Sequence, residues 1–267
     1  MRQPGRLVLI GHPVAHSLSP AFQNAALRRA GIPLVYEALD VAPAALRSTL
    51  DSLLHERAAG NVTIPHKSAA FARCDVCTAL AERVGAVNTF WSIESELHGD
   101  NTDVGGFEAA VVAALGGAPT GALTLIGAGG SAAAVCAAAE RWGSVEVRVV
   151  SRSETRAREL AARFAPVVSV ARLLATALDG SSLVVNATPL GMLDDDPVPV
   201  PVERLPPDAA IVDLVYRTGG TAWVRAARAA GVNAVDGLPM LVEQGALSFE
   251  RLFGVAPDRD AMWNAVS

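Results

Sequence analysis

Short apolar runs along this chain alternate with longer stretches in which apolar residues recur every three or four positions, the signature of buried strands alternating with amphipathic helices. "RLVLIG" (6–11) predicts a buried strand. Ser19 reads as a helix cap and Pro20 as the first helical residue of "AFQNAALRRAG", which Gly31 closes. "LVYEALDV" (34–41) predicts the next strand, "PAALRSTLDSLLHE" (43–56) the next helix and "GNVTI" (60–64) the third strand. That βαβαβ order predicts a parallel sheet with helices packed on it. Pro65 cannot donate to a ladder and biases Ile64 away from helical geometry. Lys67 is therefore expected on a strand-to-helix turn.

From Gly85, "GAVNTFWSI" and "ELHG" read as two extended segments around a short polar turn. "DNTDVGGFEAAVVAALGG" follows as a helix ending in glycines, and a new unit opens at "ALTLIGAGGSAAAVCAAAERWG". "VEVRVVS", "SLVVNAT" and "AAIVDLVY" continue it as strands, with "SETRARELAARF" and "TAWVRAARAAG" as helices. These alternations predict a doubly wound nucleotide-binding sheet of the Rossmann kind. The fold class is α/β with two domains: residues 1–102 for substrate, 103–236 for a dinucleotide, and a C-terminal helical segment, 237–267, that returns to the first domain.

Composition narrows the function classes. With 267 residues, 51% of them apolar, the chain can bury a substantial core. A net charge of −5 with both signs mixed gives no basic stripe, so no nucleic acid partner is expected. The N-terminal apolar run is shorter than a signal-peptide core of about 7–15 residues. The uncharged stretch Gly121 to Ala139 carries a glycine turn rather than a membrane span, so the protein is expected in the cytoplasm without a membrane partner. Three cysteines make no disulfide framework. Cys74 and Cys77 form a single CxxC with no second pair, and Pro13 places His12 and His16 on a loop, so no metal is expected.

"GAGGSA" fits the G-x-G-x-x-[GA] pattern directly between an apolar strand and an alanine-rich helix. Its residues Gly127, Ala128, Gly129, Gly130, Ser131 and Ala132 are the candidate pyrophosphate loop, since glycines permit close backbone approach and a helix start offers free N–H groups. An NAD site usually places an acid about 20 residues on, where it accepts from the ribose hydroxyls. Here "SRSETR" stands instead, and Ser151, Arg152, Ser153 and Arg156 offer donors that suit a 2′-phosphate. NADP is the expected cofactor. Two further polar islands, "HSLSP" and "GDNTDVGGF", interrupt apolar sequence in the first domain; Asp103 in the second also qualifies as a helix cap.

Taken together, "GHPVAHSLSP", "NVTIPHK", "GAVNT", "GDNTD", "GAGGSA", "NAT", "DLVY" and "DGLPMLVEQGA" resemble, in order and spacing, the shikimate dehydrogenase family from about Gly11 to Phe253. The resemblance implies NADP-dependent interconversion of 3-dehydroshikimate and shikimate, in the shikimate pathway of aromatic amino-acid biosynthesis. It makes Lys67 and Asp103 the catalytic pair and gives substrate contacts to Ser17, Ser19, Thr63, Asn88, Tyr216 and Gln244. Thr188, Leu214 and Gly237 become cofactor contacts on the nicotinamide side. Two positions depart from the family pattern. Gln23-Asn24 stands where His-Asn is frequent, a difference of packing, and Ser151 stands where asparagine is frequent, which removes one adenosine contact.

Three rivals share these motifs: an NAD-using quinate/shikimate dehydrogenase, an aminoshikimate dehydrogenase, and a non-catalytic NADP-binding regulator. Arg152 disfavours NAD, and retention of Lys67, Asp103 and Gln244 disfavours the regulator. The oligomeric state is expected to be monomer or homodimer, and domain closure is expected during turnover.

Overall fold

Strand-helix alternation builds two sheets, each in its own unit. The structure, a computed structural model, describes residues 3–143, 145–193 and 195–267. One unit runs to Asp103 and resumes at Leu241, and the other is Val104–Met240.

The first unit contains β1 (Arg6–Gly11), α1 (Ser19–Arg29), β2 (Tyr36–Asp40), α2 (Leu46–His55), β3 (Ala58–Val62) and α3 (Lys67–Arg73). It continues with β4 (Val76–Cys77), α4 (Ala79–Val84), β5 (Thr89–Ile93) and β6 (Glu96–Asp100). The sheet order is β2-β1-β3-β5-β6-β4. β1 pairs parallel with β2 and β3, as the βαβαβ pattern predicts, whereas β5 is antiparallel to both β3 and β6. The carboxyl ends of β1, β3 and β6 and the start of β5 therefore meet at one end of the sheet. Val8, Ile10, Leu50, Leu53, Phe90 and Leu97 are fully buried in the core beneath.

Several boundaries differ from those the sequence predicts, each for a local reason. Ser19 is not the cap of α1: Leu18 holds that position without a side-chain bond, Ser19 is the first helical residue, and its N–H is taken by Ser17 Oγ at 3.2 Å. β3 stops at Val62 rather than at Ile64: Thr63 N still bonds the Ile10 carbonyl at 2.8 Å, but His66 N turns back to the Thr63 carbonyl at 2.9 Å, closing a turn. Residues Pro43–Ala45 form a short 3-10 turn, and α2 starts only after it.

In the second unit α5 (Asp103–Leu115) leads into β7 (Ala122–Ile126), α6 (Gly130–Trp142), β8 (Val147–Val150), α7 (Glu154–Arg163) and β9 (Val168–Val170). α8 (Leu174–Leu178), β10 (Ser181–Asn186), β11 (Ala210–Asp213), α9 (Ala222–Ala229) and β12 (Ala234–Val235) complete it. All six strands are parallel in the order β12-β11-β10-β7-β8-β9. Read from the far edge this is the 3-2-1-4-5-6 order of a Rossmann sheet, and the order reverses between β7 and β10, where such sheets bind ligands. Ala132 to Ala139 of α6 are all buried, so the helix is covered on every side, and its mostly small side chains let it lie close to its neighbours.

α10 (Leu238–Phe253) crosses from the second unit to the first, and α11 (Arg259–Asn264) follows it. The return of the C-terminal segment is fixed by polar contacts to the first unit: Gln23 Nε2 donates to the Gly245 carbonyl at 2.9 Å and Arg29 pairs with Asp258 at 2.8 Å. Among the described residues, no helix is long and apolar enough to cross a membrane.

Gly60 is the tightest point of the first sheet. A Cβ there would lie 1.8 Å from the Val8 carbonyl oxygen, at a φ of +152°, whereas one at Gly31, at φ +66°, would meet nothing within 4 Å. Gly60→Ala is expected to lower unfolding stability by about 3 kcal/mol or more. Gly31→Ala, which bears only the left-handed backbone penalty, costs about 1–2 kcal/mol. Urea unfolding of the two variants side by side measures this, and equal losses would refute it.

Candidate active site

The turn after β3 presents Lys67. His66 is buried, and its Nε2 donates to the Val41 carbonyl at 2.6 Å, anchoring the turn to the chain leaving β2. Lys67 is thus the first residue of α3, one step inside the helix rather than on the turn itself, and its carbonyl accepts from Val87 N at 3.0 Å. The Nζ atom lies 2.6 Å from Asp103 Oδ2, with side-chain exposures of 13% for the lysine and 3% for the aspartate. Water is largely excluded from the pair.

Asp103 is oriented from its other side. Asn88 Nδ2 donates to Asp103 Oδ1 at 2.9 Å and also faces Thr102 Oγ1 at 2.9 Å and Gln244 Oε1 at 3.1 Å, while Asn88 Oδ1 accepts from Thr102 N at 2.8 Å. The N–H of Asp103 goes to Asn101 Oδ1 at 3.1 Å, so its carboxylate is not spent on capping α5. Lys67, Asp103, Asn88 and Gln244 form one hydrogen-bonded group, drawn from the starts of α3 and α5, the approach to β5, and α10.

Ser17, Ser19 and Thr63 leave the adjacent ends of β1 and β3. A Cβ on Gly11 would lie 2.5 Å from Thr63 Cγ2, so the glycine is what lets these two loops touch. Ser17 and Thr63 are half-buried, and Ser19 is buried. Tyr216 belongs to the other unit, half-buried after β11.

Several residues that hold this site have no role in the sequence reading, although Asn61 and Asp100 lie inside its quoted motifs. Asn61 Nδ2 donates to the Asn88 carbonyl at 3.0 Å and Ser248 Oγ at 2.9 Å, and its Oδ1 accepts from the Tyr36 hydroxyl at 2.8 Å. Burial holds the Tyr36 phenol far above its usual range, so it remains a neutral donor. The buried Asp100 accepts from the Asn101 N–H at 2.8 Å and the Thr78 hydroxyl, and pairs with Arg251 Nε of α10 at 2.8 Å. Polar residues inside otherwise apolar strands, such as Asn61, are the signal by which sequence could have found them.

The second unit carries the dinucleotide candidates. Gly127 adopts φ +111°, its N–H donates to the Val150 carbonyl at 2.8 Å, and a Cβ would lie 2.7 Å from the Ala187 carbonyl oxygen. Gly129 precedes α6 with open space around its α-carbon, and Gly130, Ser131 and Ala132 form the first helical turn, where backbone N–H groups have no partner within the helix. Ala128 sits half-buried between the glycines.

After β8, Ser153 Oγ caps α7 by accepting from Arg156 N at 3.4 Å, and Ser151 Oγ accepts from Ser153 N at 3.2 Å. Both hydroxyls keep their hydrogen for another acceptor. The guanidinium groups of Arg152 and Arg156 are exposed and engage no other described residue.

Thr188 Oγ1 donates to Asn186 Oδ1 at 2.6 Å, Asn186 Nδ2 to Asp213 Oδ1 at 2.8 Å, and Thr221 Oγ1 to Asp213 Oδ2 at 2.7 Å. This buried chain ties the loop after β10 to that after β11. Burial pushes the Asp213 carboxyl upward against those hydrogen bonds. Leu214 and Gly237 meet directly, since a Cβ on Gly237 would lie 2.3 Å from the Leu214 carbonyl oxygen.

Of the cysteines, Cys136 is buried with its thiol pushed upward, and burial raises Cys74 to about 12. Neither thiol ionises near neutrality. Among the described residues, no group of three or more His, Cys, Asp or Glu side chains is arranged to hold a metal ion.

Two family models match the chain: the shikimate dehydrogenase substrate binding domain over residues 9–90 and the shikimate 5′-dehydrogenase C-terminal domain over residues 237–266. The shikimate dehydrogenase (NADP(+)) of Methylobacterium radiotolerans is 44% identical, covering 94% of this chain and 92% of its own. The crystal structure of shikimate 5-dehydrogenase from Thermus thermophilus, in complex with NADP(H) and shikimate, is similar with a TM-score of 0.87 at 40% identity over 97% of both chains. Quinate dehydrogenase from Corynebacterium glutamicum, in complex with NAD, gives 0.88 at 30% identity over 99% of both. Identity at these levels, sustained over nearly the full length of each partner, places the chain in the shikimate dehydrogenase family.

Proposed function

We propose that this protein catalyses the NADP-dependent reversible reduction of 3-dehydroshikimate to shikimate. The observation that carries the reading is the Lys67–Asp103 pair, 2.6 Å long, almost dry, and braced by Asn88. NADPH, when bound, supplies the hydride that reduces the ring ketone. The chain's own residues supply the rest. Lys67 hydrogen-bonds the carbonyl oxygen and gives up the proton that oxygen needs as it becomes a hydroxyl; the reverse reaction returns that proton to Nζ. A donor already in place stabilises the developing negative charge without waiting for solvent to reorganise. Asp103 holds the lysine head group in one orientation and leaves two of its three hydrogens for the substrate.

Ser17, Ser19, Thr63, Asn88, Tyr216 and Gln244 are proposed as the contacts to the substrate's hydroxyl and carboxylate groups. In the second unit the close approach at Gly127, the free N–H groups at the start of α6 and the uncommitted Arg152 and Arg156 fit a dinucleotide bearing a 2′-phosphate. Thr188, Leu214 and Gly237 are proposed on its nicotinamide side. No carboxylate occupies residues 151–153, where an NAD ribose would want an acceptor.

Nicotinamide absorbance with shikimate or quinate, each paired with NADP or NAD, tests the assignment. Turnover is expected to be confined mainly to shikimate with NADP; preference for quinate with NAD would overturn both choices. Lys67→Ala is expected to lower kcat by about 10²–10⁴-fold with little change in the shikimate KM, since it removes an interaction strongest in the transition state. An unchanged kcat would remove Lys67 from the chemistry. Arg152→Ala is expected to raise the KM for NADP by about tenfold or more, the scale of one charge-assisted hydrogen bond, and to leave that for NAD nearly unchanged. Equal changes for the two cofactors would show that Arg152 does not read the phosphate.

A further inference from the structure

A third unengaged arginine stands at the same corner of the second sheet. β8 and β9 run parallel with Val149 opposite Val170, and Ala171 N donates to the Val149 carbonyl at 2.9 Å, so the ladder continues past the last residue of β9. Ser151 and Arg172 each lie just past these paired residues, at the same end of two adjacent parallel strands. Arg172 is exposed, and its guanidinium, like those of Arg152 and Arg156, engages no other described residue. The neighbouring acids are committed elsewhere: Glu154 pairs with Arg158 at 2.6 Å and Glu146 with Arg148 at 3.0 Å. Three exposed arginines thus follow the ends of two paired parallel strands, with the nearby carboxylates already paired. A doubly charged anion seated there answers their charge.

The sequence supplies a second reason to look here. Beside Arg152, Ser151 offers a single hydroxyl whose hydrogen is free for another acceptor. A guanidinium from the adjacent strand adds donors in a planar fork suited to phosphate oxygens. The backbone around Arg172 has little freedom to move away, held by the Ala171 bond on one side and by α8, which starts at Leu174, on the other.

We propose that Arg172 is a specificity-determining residue that binds the 2′-phosphate of NADP together with Arg152 and Ser151. The proposal rests on the NADP reading above, and its test separates the two. Calorimetric titration of NADP+ and NAD+ into the substrate-free protein, wild type and Arg172→Gln, reads binding without turnover. The wild type is expected to prefer NADP+; Arg172→Gln is expected to weaken NADP+ by about tenfold and NAD+ by less than about twofold. Arg172→Lys, which keeps the charge but not the fork, is expected to recover part of the loss. An Arg172→Gln protein that keeps the wild-type NADP+ affinity, or that weakens both ligands equally, overturns the role of Arg172 and leaves the cofactor reading standing. A wild type that binds NAD+ as tightly as NADP+ overturns the cofactor reading, and the proposal with it.

Discussion

A lysine and an aspartate held 2.6 Å apart in a nearly dry environment set the terms for the rest of the first unit. Burying two charges is costly, and their mutual attraction offsets that cost only when the remaining donors and acceptors are also satisfied. Asp103 meets this condition through Asn88, which is in turn fixed by backbone bonds to β3 and β6: its N–H to the Asp100 carbonyl at 3.1 Å and its carbonyl to Val62 N at 2.9 Å. The antiparallel β5–β6 hairpin therefore serves the chemistry. Without it, Asn88 and Asp103 would not reach the end of the sheet where Lys67 emerges.

On the reading proposed above, the second unit has a different problem, that of holding an anion with few buried charges. Its means are backbone geometry at Gly127, the open N–H groups of α6 and exposed guanidiniums beyond β8 and β9. The deeply buried carboxylate of Asp213 faces inward and joins loops: it is bonded to Asn186, Thr221 and the Val215 N–H. Its desolvation is answered by three donors rather than by a cation. That keeps strong negative charge away from the phosphate-binding elements while fixing the chain that leads to Leu214.

What the sequence makes legible is chiefly local. The glycine loop, the strand-helix alternation and the Lys67 turn each lie within a few residues of one another, and turn chemistry or periodicity expresses them directly. Short elements such as β4, β9, β12 and α11 leave no periodic signal, being two to six residues long. Ser19 reads as a cap because Ser-Pro suits the boundary equally well one residue later than where the helix begins. The bond from Asn88 to Gln244 spans 156 positions, and that from Asn61 to Ser248 spans 187; no local rule encodes either. Resemblance to the family supplies the roles of Asn88 and Gln244, but not the partners that orient them. Arg172 is invisible for a similar reason, since only the pairing of β8 with β9 brings the ends of the two strands that precede Ser151 and Arg172 together.

The packing of α10 shows how a residue far from the chemistry conditions the site. A Cβ at Gly245 would fall 2.3 Å from Phe22 Cε2, so only glycine lets α10 lie this close to α1. The adjacent Gln23 uses that proximity, its Nε2 reaching the Gly245 carbonyl at 2.9 Å inside the core. Gln23 thus helps to seat this helix. Two further bonds fix the helix along its length: Ser248 to Asn61, and Arg251 to Asp100. Gln244 lies one residue before Gly245, and its Oε1 must come within 3.1 Å of Asn88. A side chain added at Gly245 would shift the helix away from α1, and Gln244 would move with it. The glycine is therefore as much a condition of the Asn88–Asp103–Lys67 geometry as the polar residues that compose it.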